Sequence, residues 1–292
     1  MDLRKLEIFV SVAKHQSFSH AALALHMAQP AVSIAIRKLE EEFNTSLFER
    51  NNRTIQLTHE GQLALEKAKA ILQQVSEFKS SMGELDGMLR GELSIACPSM
   101  LATYYFPTLL GEFLGQHTGL TASINQAGTQ TIPNMIMQDE VELGVINQTS
   151  YQSGLEVIPL VTQDIVLCVN EQHPLNQQKS VHINQLTDVP MVLYQSDYFI
   201  RQQFDQLCQQ HKVTPDIRMQ CNFLPLLTSM VNNNFAATVG LEMMPQQEPG
   251  MVGIALKPKM ELHMMLAWRK GRLISRANQE FIDWLGRRNQ SL

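Results

Sequence analysis

Over the first sixty residues the apolar positions recur at helical spacing. Leu3, Leu6, Phe9, Val10 and Ala13 predict an amphipathic first helix. Ser17 or Ser19 is placed to cap a second, short, alanine-rich helix over roughly His20 to His26. A third helix is expected from Pro30 to Phe43, with proline in the first turn, where its missing N–H does no harm. Its apolar residues Val32, Ile36, Leu39 and Phe43 lie at i, i+4, i+7 and i+11, on one face. Gln29, Ser33, Ile34 and Arg37 fall on another. Asn44 follows as a left-handed C-cap. Arg50-Asn51-Asn52-Arg53 reads as a turn, leading into an alternating strand over residues 54–58.

The spacing then changes. Thr58 caps a helix starting near His59, in which Ala64, Ala68, Ile71, Val75, Phe78, Met82, Leu85 and Leu89 step alternately by four and three. That is a heptad seam, which predicts either a contact between two chains or packing on its own domain. A helix of this length spans roughly 45 Å, more than one small domain needs, which favours two chains. Gly83, Gly87 and Gly91 weaken its end.

From Glu92 onward strands alternate with helices, as in parallel βαβ units. Strands are expected at Leu93–Cys97, Thr121–Gln126, Glu142–Asn147, Asp164–Asn170, Met191–Tyr194, Asp216–Asn222, Phe235–Gly240 and Leu262–Arg269. Helices are expected at 100–116, 130–137, 199–212, 223–232 and around 277–287. A chain that leaves one α/β lobe and returns to it leaves a cleft between two.

Charge changes the picture little. The net charge of the chain is −5, and residues 1–90 balance to zero, so a nucleic-acid surface has to be a local patch. The outward groups of the third helix supply one. Arg forks onto guanine, Gln onto adenine, Ser onto either, and Ile meets a thymine methyl. A short helix, a tight turn and a second helix carrying such groups make a helix-turn-helix, with arginines in a wing suited to phosphate or the minor groove.

Residues 2–64 resemble the DNA-binding module of LysR-type transcriptional regulators. The resemblance rests on Ser17-Phe18-Ser19-His20-Ala21-Ala22-Leu23-Ala24-Leu25, Gln29-Pro30-Ala31-Val32-Ser33, Ile36-Arg37-Lys38-Leu39-Glu40, Leu47-Phe48-Glu49-Arg50 and Leu57-Thr58-His59-Glu60-Gly61. It implies base contacts from Gln29, Pro30, Ser33 and Arg37, beside Ile34, and backbone contacts from Arg50, Arg53 and the Thr58 region. Phe43-Asn44 departs from the family's usual Leu-Gly, a turn Asn tolerates. The resemblance also implies linker helices paired antiparallel in a dimer or tetramer, a roughly palindromic double-stranded DNA operator, and contact with RNA polymerase.

The later chain is similar to that family's periplasmic-binding-protein-like effector domain at Tyr105–Phe113 and Val141–Ile146, with Gly144 where the family often has Asp. Asn233 and Asn234 replace small residues in a later landmark. The expected organisation is an all-α winged helix-turn-helix over 1–58, a linker helix over 59–90 and an α/β effector domain over 91–292. Its subdomain I takes 91–161 and 267–292, and its subdomain II takes 162–266. Ligands of parallel sheets bind beyond the carboxyl ends of strands. That rule selects Ser99, Met100, Gly128, Thr129, Asn147, Gln195, Ser196, Phe199 and Phe223 as candidates lining the site of a small-molecule effector, either a small anion or a neutral compound.

Nothing in the sequence points to other chemistry. No G-x-G-x-x-G, Walker A, G-x-S-x-G or H-E-x-x-H occurs, and no nucleophile-plus-base set supports an enzyme. The histidines lack ligand spacing, so neither metal nor cofactor is expected. Cys97, Cys168, Cys208 and Cys221 are far apart and read as reduced thiols, with a Cys208–Cys221 redox switch as the rival. No signal peptide or membrane span is expected, and the cytoplasm is the expected compartment. An architectural DNA-binding protein is the remaining alternative, and the long α/β half argues against it.

Overall fold

The computed structural model describes residues 2–51, 54–83 and 89–289. The chain divides into two compact units, Met1–Met88 and Leu89–Leu292. Among the described residues no helix is long and apolar enough to cross a membrane.

The first unit comprises α1 (Leu3–His15), α2 (Phe18–Ala24), α3 (Gln29–Phe43), β1 (Phe48–Asn51), β2 (Thr54–Leu57) and α4 (His59–Gly83). Its core gathers Leu6, Phe9 and Val12 of α1, Ala21 and Ala22 of α2, and Val32, Ile36 and Leu39 of α3. The buried stripe of α1 also includes Ile8, while Leu3 is exposed. Ser17 caps α2 by accepting from the His20 amide at 3.2 Å. That helix starts and ends two residues earlier than the alanine pattern suggests, and His26 turns the chain with φ 52°. Asn44 takes the left-handed C-cap of α3 at φ 51°, as its small polar side chain allows. Phe43, expected on the buried face, is exposed, because the last turn of α3 runs past the core.

The two halves of α4 differ. Ala68 is buried, and Ala64, Leu65, Ile71 and Leu72 pack against the first unit's core. Farther along, Phe78 is 64% exposed. The proximal part of the heptad seam is therefore used within the chain, and only the distal part is left open. Leu85 and Gly87 lie outside the described residues, as does the Met82 side chain. Leu89 packs on the core of the second unit.

The second unit begins with β3 (Gly91–Cys97), α5 (Ser99–Tyr104), α6 (Phe106–Gln116), β4 (Leu120–Gln126), α7 (Ile132–Met137) and β5 (Leu143–Asn147). It continues through β6 (Leu155–Asn170), β7 (Ser180–His182), β8 (Pro190–Leu193), α8 (Phe199–His211), β9 (Asp216–Gln220) and α9 (Leu224–Asn232). It ends with β10 (Thr238–Leu241), α10 (Met243–Gln247), β11 (Met251–Arg269) and α11 (Arg276–Asn289). The expected single helix over 100–116 is two helices broken at Tyr105, with Pro107 in the first turn of the second.

Two long strands organise this unit. β6 and β11 pair antiparallel from Leu155–Arg269 to Asn170–Met251, where only their segments at 164–170 and 262–269 were expected. At one end β11 pairs with β5, which continues parallel to β3 and β4. At the other end β10 pairs with β6, β7 with β11, and β8 with β9. The expected subdomain borders at 161/162 and 266/267 thus fall inside continuous strands. The two lobes share one ladder of hydrogen bonds, and the crossover is a pair of strands.

Gly144 sits in fully buried β5, where a Cβ would meet Ile132 Cγ2 at 2.3 Å and Ile136 Cδ1 at 2.9 Å. The close approach of α7 to the sheet accounts for glycine there.

Candidate functional site: an exposed helix face and an open cavity

In the first unit, burial of Val32, Ile36 and Leu39 fixes the rotation of α3. The opposite side then carries Gln29, Pro30, Ile34 and Arg37 in the open, with Ser33 half-buried beside them. The Gln29 amide donates to Ser33 Oγ at 3.0 Å, which orders both side chains and leaves the Gln29 carbonyl free to accept. Arg37 reaches Glu41 at 3.3 Å, an ion pair in which both side chains are more than 60% exposed. Such a pair is weak and gives way to a better partner.

The three consecutive glutamates of α3 have three different surroundings. Glu41 meets Arg37, and Glu42 accepts from Lys5 at 3.1 Å. Glu40 turns the other way, and its Oε1 accepts from the backbone amides of Leu47 at 2.9 Å and Phe48 at 3.3 Å. This ties the start of the wing to α3, a link that no local pattern in the sequence reveals. Phe48 completes the attachment, with its ring edge-on to Phe9 at 5.5 Å and to Phe18 at 6.0 Å. We expect Glu40→Ala to destabilise the first unit by about 1.5–3 kcal/mol, as charged hydrogen bonds of this kind contribute. Hydrogen–deuterium exchange should accelerate at residues 47–49, and unchanged protection there would contradict this role.

The wing is the antiparallel pair β1–β2, with Arg50 opposite Ile55 and Asn51 opposite Thr54. Arg53 lies outside the described residues, as does the Arg50 side chain. The Thr58 hydroxyl is fully engaged, donating to the Ser46 carbonyl at 2.7 Å and accepting from the Gly61 amide at 2.9 Å. Thr58 therefore positions the start of α4 against the wing.

In the second unit a cavity of about 410 Å³, including the space at its mouth, opens where the two lobes meet. Pro98, Ser99, Met100 and Leu101 enter it from the start of α5, and Thr129 from the loop after β4. Tyr198, Phe199 and Ile200 enter from the start of α8, with Tyr194 just beyond β8. Leu241 closes it from β10, and Leu262 and Met264 from β11. The lining thus includes the crossover strand itself. Ser99 Oγ and Tyr194 Oη share a hydrogen bond at 3.1 Å, and Tyr194 stacks on Tyr198 at 4.6 Å with rings nearly parallel. Burial raises the Tyr194 phenol's pKa well above the usual range, so it stays neutral.

Of the residues selected from sequence, Ser99, Met100, Thr129 and Phe199 line this cavity. Gly128 precedes Thr129 without lining it. Asn147 is buried, and its Oδ1 accepts from Thr149 Oγ1 and from the Ser150 amide and hydroxyl. Gln195 and Ser196 are exposed, with the Gln195 side chain accepting from Asn222 at 2.8 Å. Phe223 is 63% exposed. Tyr194 and Tyr198, the aromatic wall, were not foreseen.

Behind the wall Arg201 is buried and held through its Nε and Nη1. Its Nε donates to both Asp205 oxygens at 2.7 and 2.9 Å, and its Nη1 to the Tyr194 carbonyl at 2.8 Å and Gln220 Oε1 at 2.9 Å. At the far end of α5, Tyr104 Oη donates to Glu248 at 2.6 Å, and Gln247 donates to the Tyr104 carbonyl at 2.8 Å. One end of α5 therefore faces the cavity while the other is tied to the segment around α10. Burial pushes the thiols of Cys97 and Cys168 up to about 12 and that of Cys208 up to about 11. A protonated, buried Cys208 is a poor nucleophile, which weighs against the redox rival.

A helix-turn-helix with a wing, followed by a two-lobed α/β unit with a cavity where its lobes meet, defines a class of ligand-sensing DNA-binding regulators. Residues 3–62 match the family model of the bacterial regulatory helix-turn-helix protein, lysR family, and residues 86–290 match the LysR substrate binding domain. The chain belongs to the LysR family of transcriptional regulators. It is 26% identical to "Uncharacterized HTH-type transcriptional regulator YcgK" of Bacillus subtilis (strain 168), over 97% of this chain and 93% of that one. The fold is shared with full-length CbnR complexed with its target DNA, at a TM-score of 0.70 and 20% identity, covering 98% of this chain and 99% of that one. It is also shared with the effector binding domain of QuiR in complex with shikimate, at a TM-score of 0.61 and 20% identity, covering 69% of this chain and 98% of that one.

Proposed function

We propose that the protein reads a specific operator through the exposed face of α3 and reports the presence of a small molecule held in the cavity of its second unit. The observation that carries this reading is the outward set Gln29, Ser33, Ile34 and Arg37 on a helix whose rotation the buried side locks. Arg50 and Arg53 of the wing supply backbone contacts. The exposed Phe78, with Leu63 also 56% exposed, supports pairing of α4 with a second copy, as dimer or tetramer. Two recognition helices in such an assembly address a roughly palindromic site in double-stranded DNA. The protein works in the cytoplasm, acts through RNA polymerase and catalyses no reaction. The expected organisation of 1–58, 59–90 and 91–292 is the frame of this proposal, and the complex of CbnR with its target DNA supports it.

The test is a gel shift on the DNA upstream of the protein's own coding sequence, with every operator position varied. Arg37→Ala should weaken binding to the preferred site by about 1–3 kcal/mol and relax the preference at one base pair. Unchanged affinity and unchanged preference would remove Arg37 from the reading face.

A further inference from the structure

We infer that Glu41 is a positioning residue for base reading, holding the Arg37 guanidinium by one edge so that its other edge favours a neutral guanine over a phosphate. The inference rests on the reading of α3 as the recognition helix. Three carboxylates follow one another near the end of α3, and one of them stays beside the reading groups. Glu40 accepts from the amides of Leu47 and Phe48, and Glu42 meets Lys5. Glu41 lies one turn beyond Arg37, and its Oε1 stands 3.3 Å from Arg37 Nε.

The choice of atom matters. A guanidinium presents its donors as a rigid planar fork. With Nε facing Glu41, Nη1 and Nη2 are left for a second partner, and such a pair of donors spans O6 and N7 of guanine. Weak as it is in water, the ion pair therefore need not break when Arg37 reads a base. Gln29 holds Ser33 at 3.0 Å with the same spacing of four residues, so both halves of the reading face are ordered before DNA arrives. Charge then discriminates. Guanine offers neutral acceptors, whereas a phosphate brings a second anion to a guanidinium that already faces one. Glu41 thus penalises the contact that any sequence offers and spares the contact that a particular base offers.

Fluorescence anisotropy at fixed salt tests this on the DNA upstream of the protein's own coding sequence, its single-base-pair variants and a shuffled duplex. Arg37→Ala identifies the base pair that Arg37 reads. Glu41→Gln should raise affinity for the shuffled duplex about two- to fivefold and weaken the preference at that base pair by a similar factor. The melting temperature of Glu41→Gln should stay within about 4 °C of the wild type, as for other exposed substitutions. Glu41→Asp keeps the charge and should lie nearer the wild type on both binding counts. In the Arg37→Ala background, Glu41→Gln should leave every remaining base preference unchanged, because no guanidinium is left to position.

If Glu41→Gln raises operator and shuffled affinities by the same factor and keeps every base preference, Glu41 acts only as a distant charge and the inference falls. It falls also if Glu41→Gln still alters a base preference in the Arg37→Ala background. If instead Arg37→Ala by itself changes no base preference, Arg37 reads no base, and the reading of α3 fails before any role of Glu41 is at issue.

Discussion

Gly61→Ala should weaken operator binding sharply by destabilising the first unit. Gly61 stands in the first turn of α4, where a Cβ would lie 2.0 Å from the Leu47 carbonyl oxygen and 3.1 Å from Leu57 Cδ2. The nearer atom is backbone, held at 3.0 Å by the Thr58 amide, so it has no rotamer with which to yield. To fit a methyl group, α4 has to lift off the wing. That motion strains the Thr58 cap, in which the Gly61 amide donates at 2.9 Å, and the Thr58 link to Ser46. Overpacking of this kind costs about 1–3 kcal/mol and a lost cap about 1 more. A unit of this size loses roughly 4–8 °C per kcal/mol, so its melting transition should fall by about 10–30 °C. Gly111→Ala is the control. Gly111 lies in α6 with nothing within 4 Å of the added carbon, so the change should be neutral or slightly stabilising. A Gly61→Ala protein that melts and binds as the wild type does would show that α4 and the wing are not in this close contact.

Phe199→Arg should erase the effector response while leaving operator affinity unchanged. Phe199 opens α8 at the cavity, half-buried among Met100, Leu262 and Met264. An arginine there either fills the cavity with a bulky charged side chain or swings out and removes an apolar wall, and both alter the space an effector would occupy. Coupling between ligand and DNA sites is ordinarily worth about 1–3 kcal/mol, a five- to 150-fold change in affinity. In the variant that ratio should fall to one. The measurement is operator affinity with and without the metabolite that shifts it in the wild type. A normal ratio would place the effector outside this cavity. Two hydrogen bonds join the lobes along α5, Ser99–Tyr194 at its start and Tyr104–Glu248 at its other end. A ligand drawing α5 and α8 together acts on both, which gives closure a physical route through β6 and β11.

The parts legible from sequence were those set by short-range chemistry. The α3 face follows from the spacing of Val32, Ile36 and Leu39, the αL cap from Asn44, and the wing from its Asn pair. Longer-range effects were not legible. Segment 155–163 contains Pro159 and polar residues at irregular spacing, and its strand character comes from pairing with β11. At the cavity one position decides a side chain's fate. Tyr194 is buried against Ser99, while the next two residues, Gln195 and Ser196, face solvent. β8 ends at Leu193, and after Tyr194 the chain turns outward, so the residues of the turn itself face solvent. Asn147 was chosen for its amide, and its Oδ1 is used locally to close the turn after β5. In α4 the heptad pattern suited intrachain and interchain packing alike. The structure assigns Ala68 to the first, and Phe78 remains open.

The most direct test compares the affinity for the upstream operator with that for a shuffled duplex of equal length and base content, by fluorescence anisotropy across a salt series. If the outward atoms of α3 recognise bases, the operator keeps an advantage of about 10³-fold or more while both affinities fall with salt. If the two curves coincide at every salt concentration, binding is to backbone alone and α3 reads no sequence.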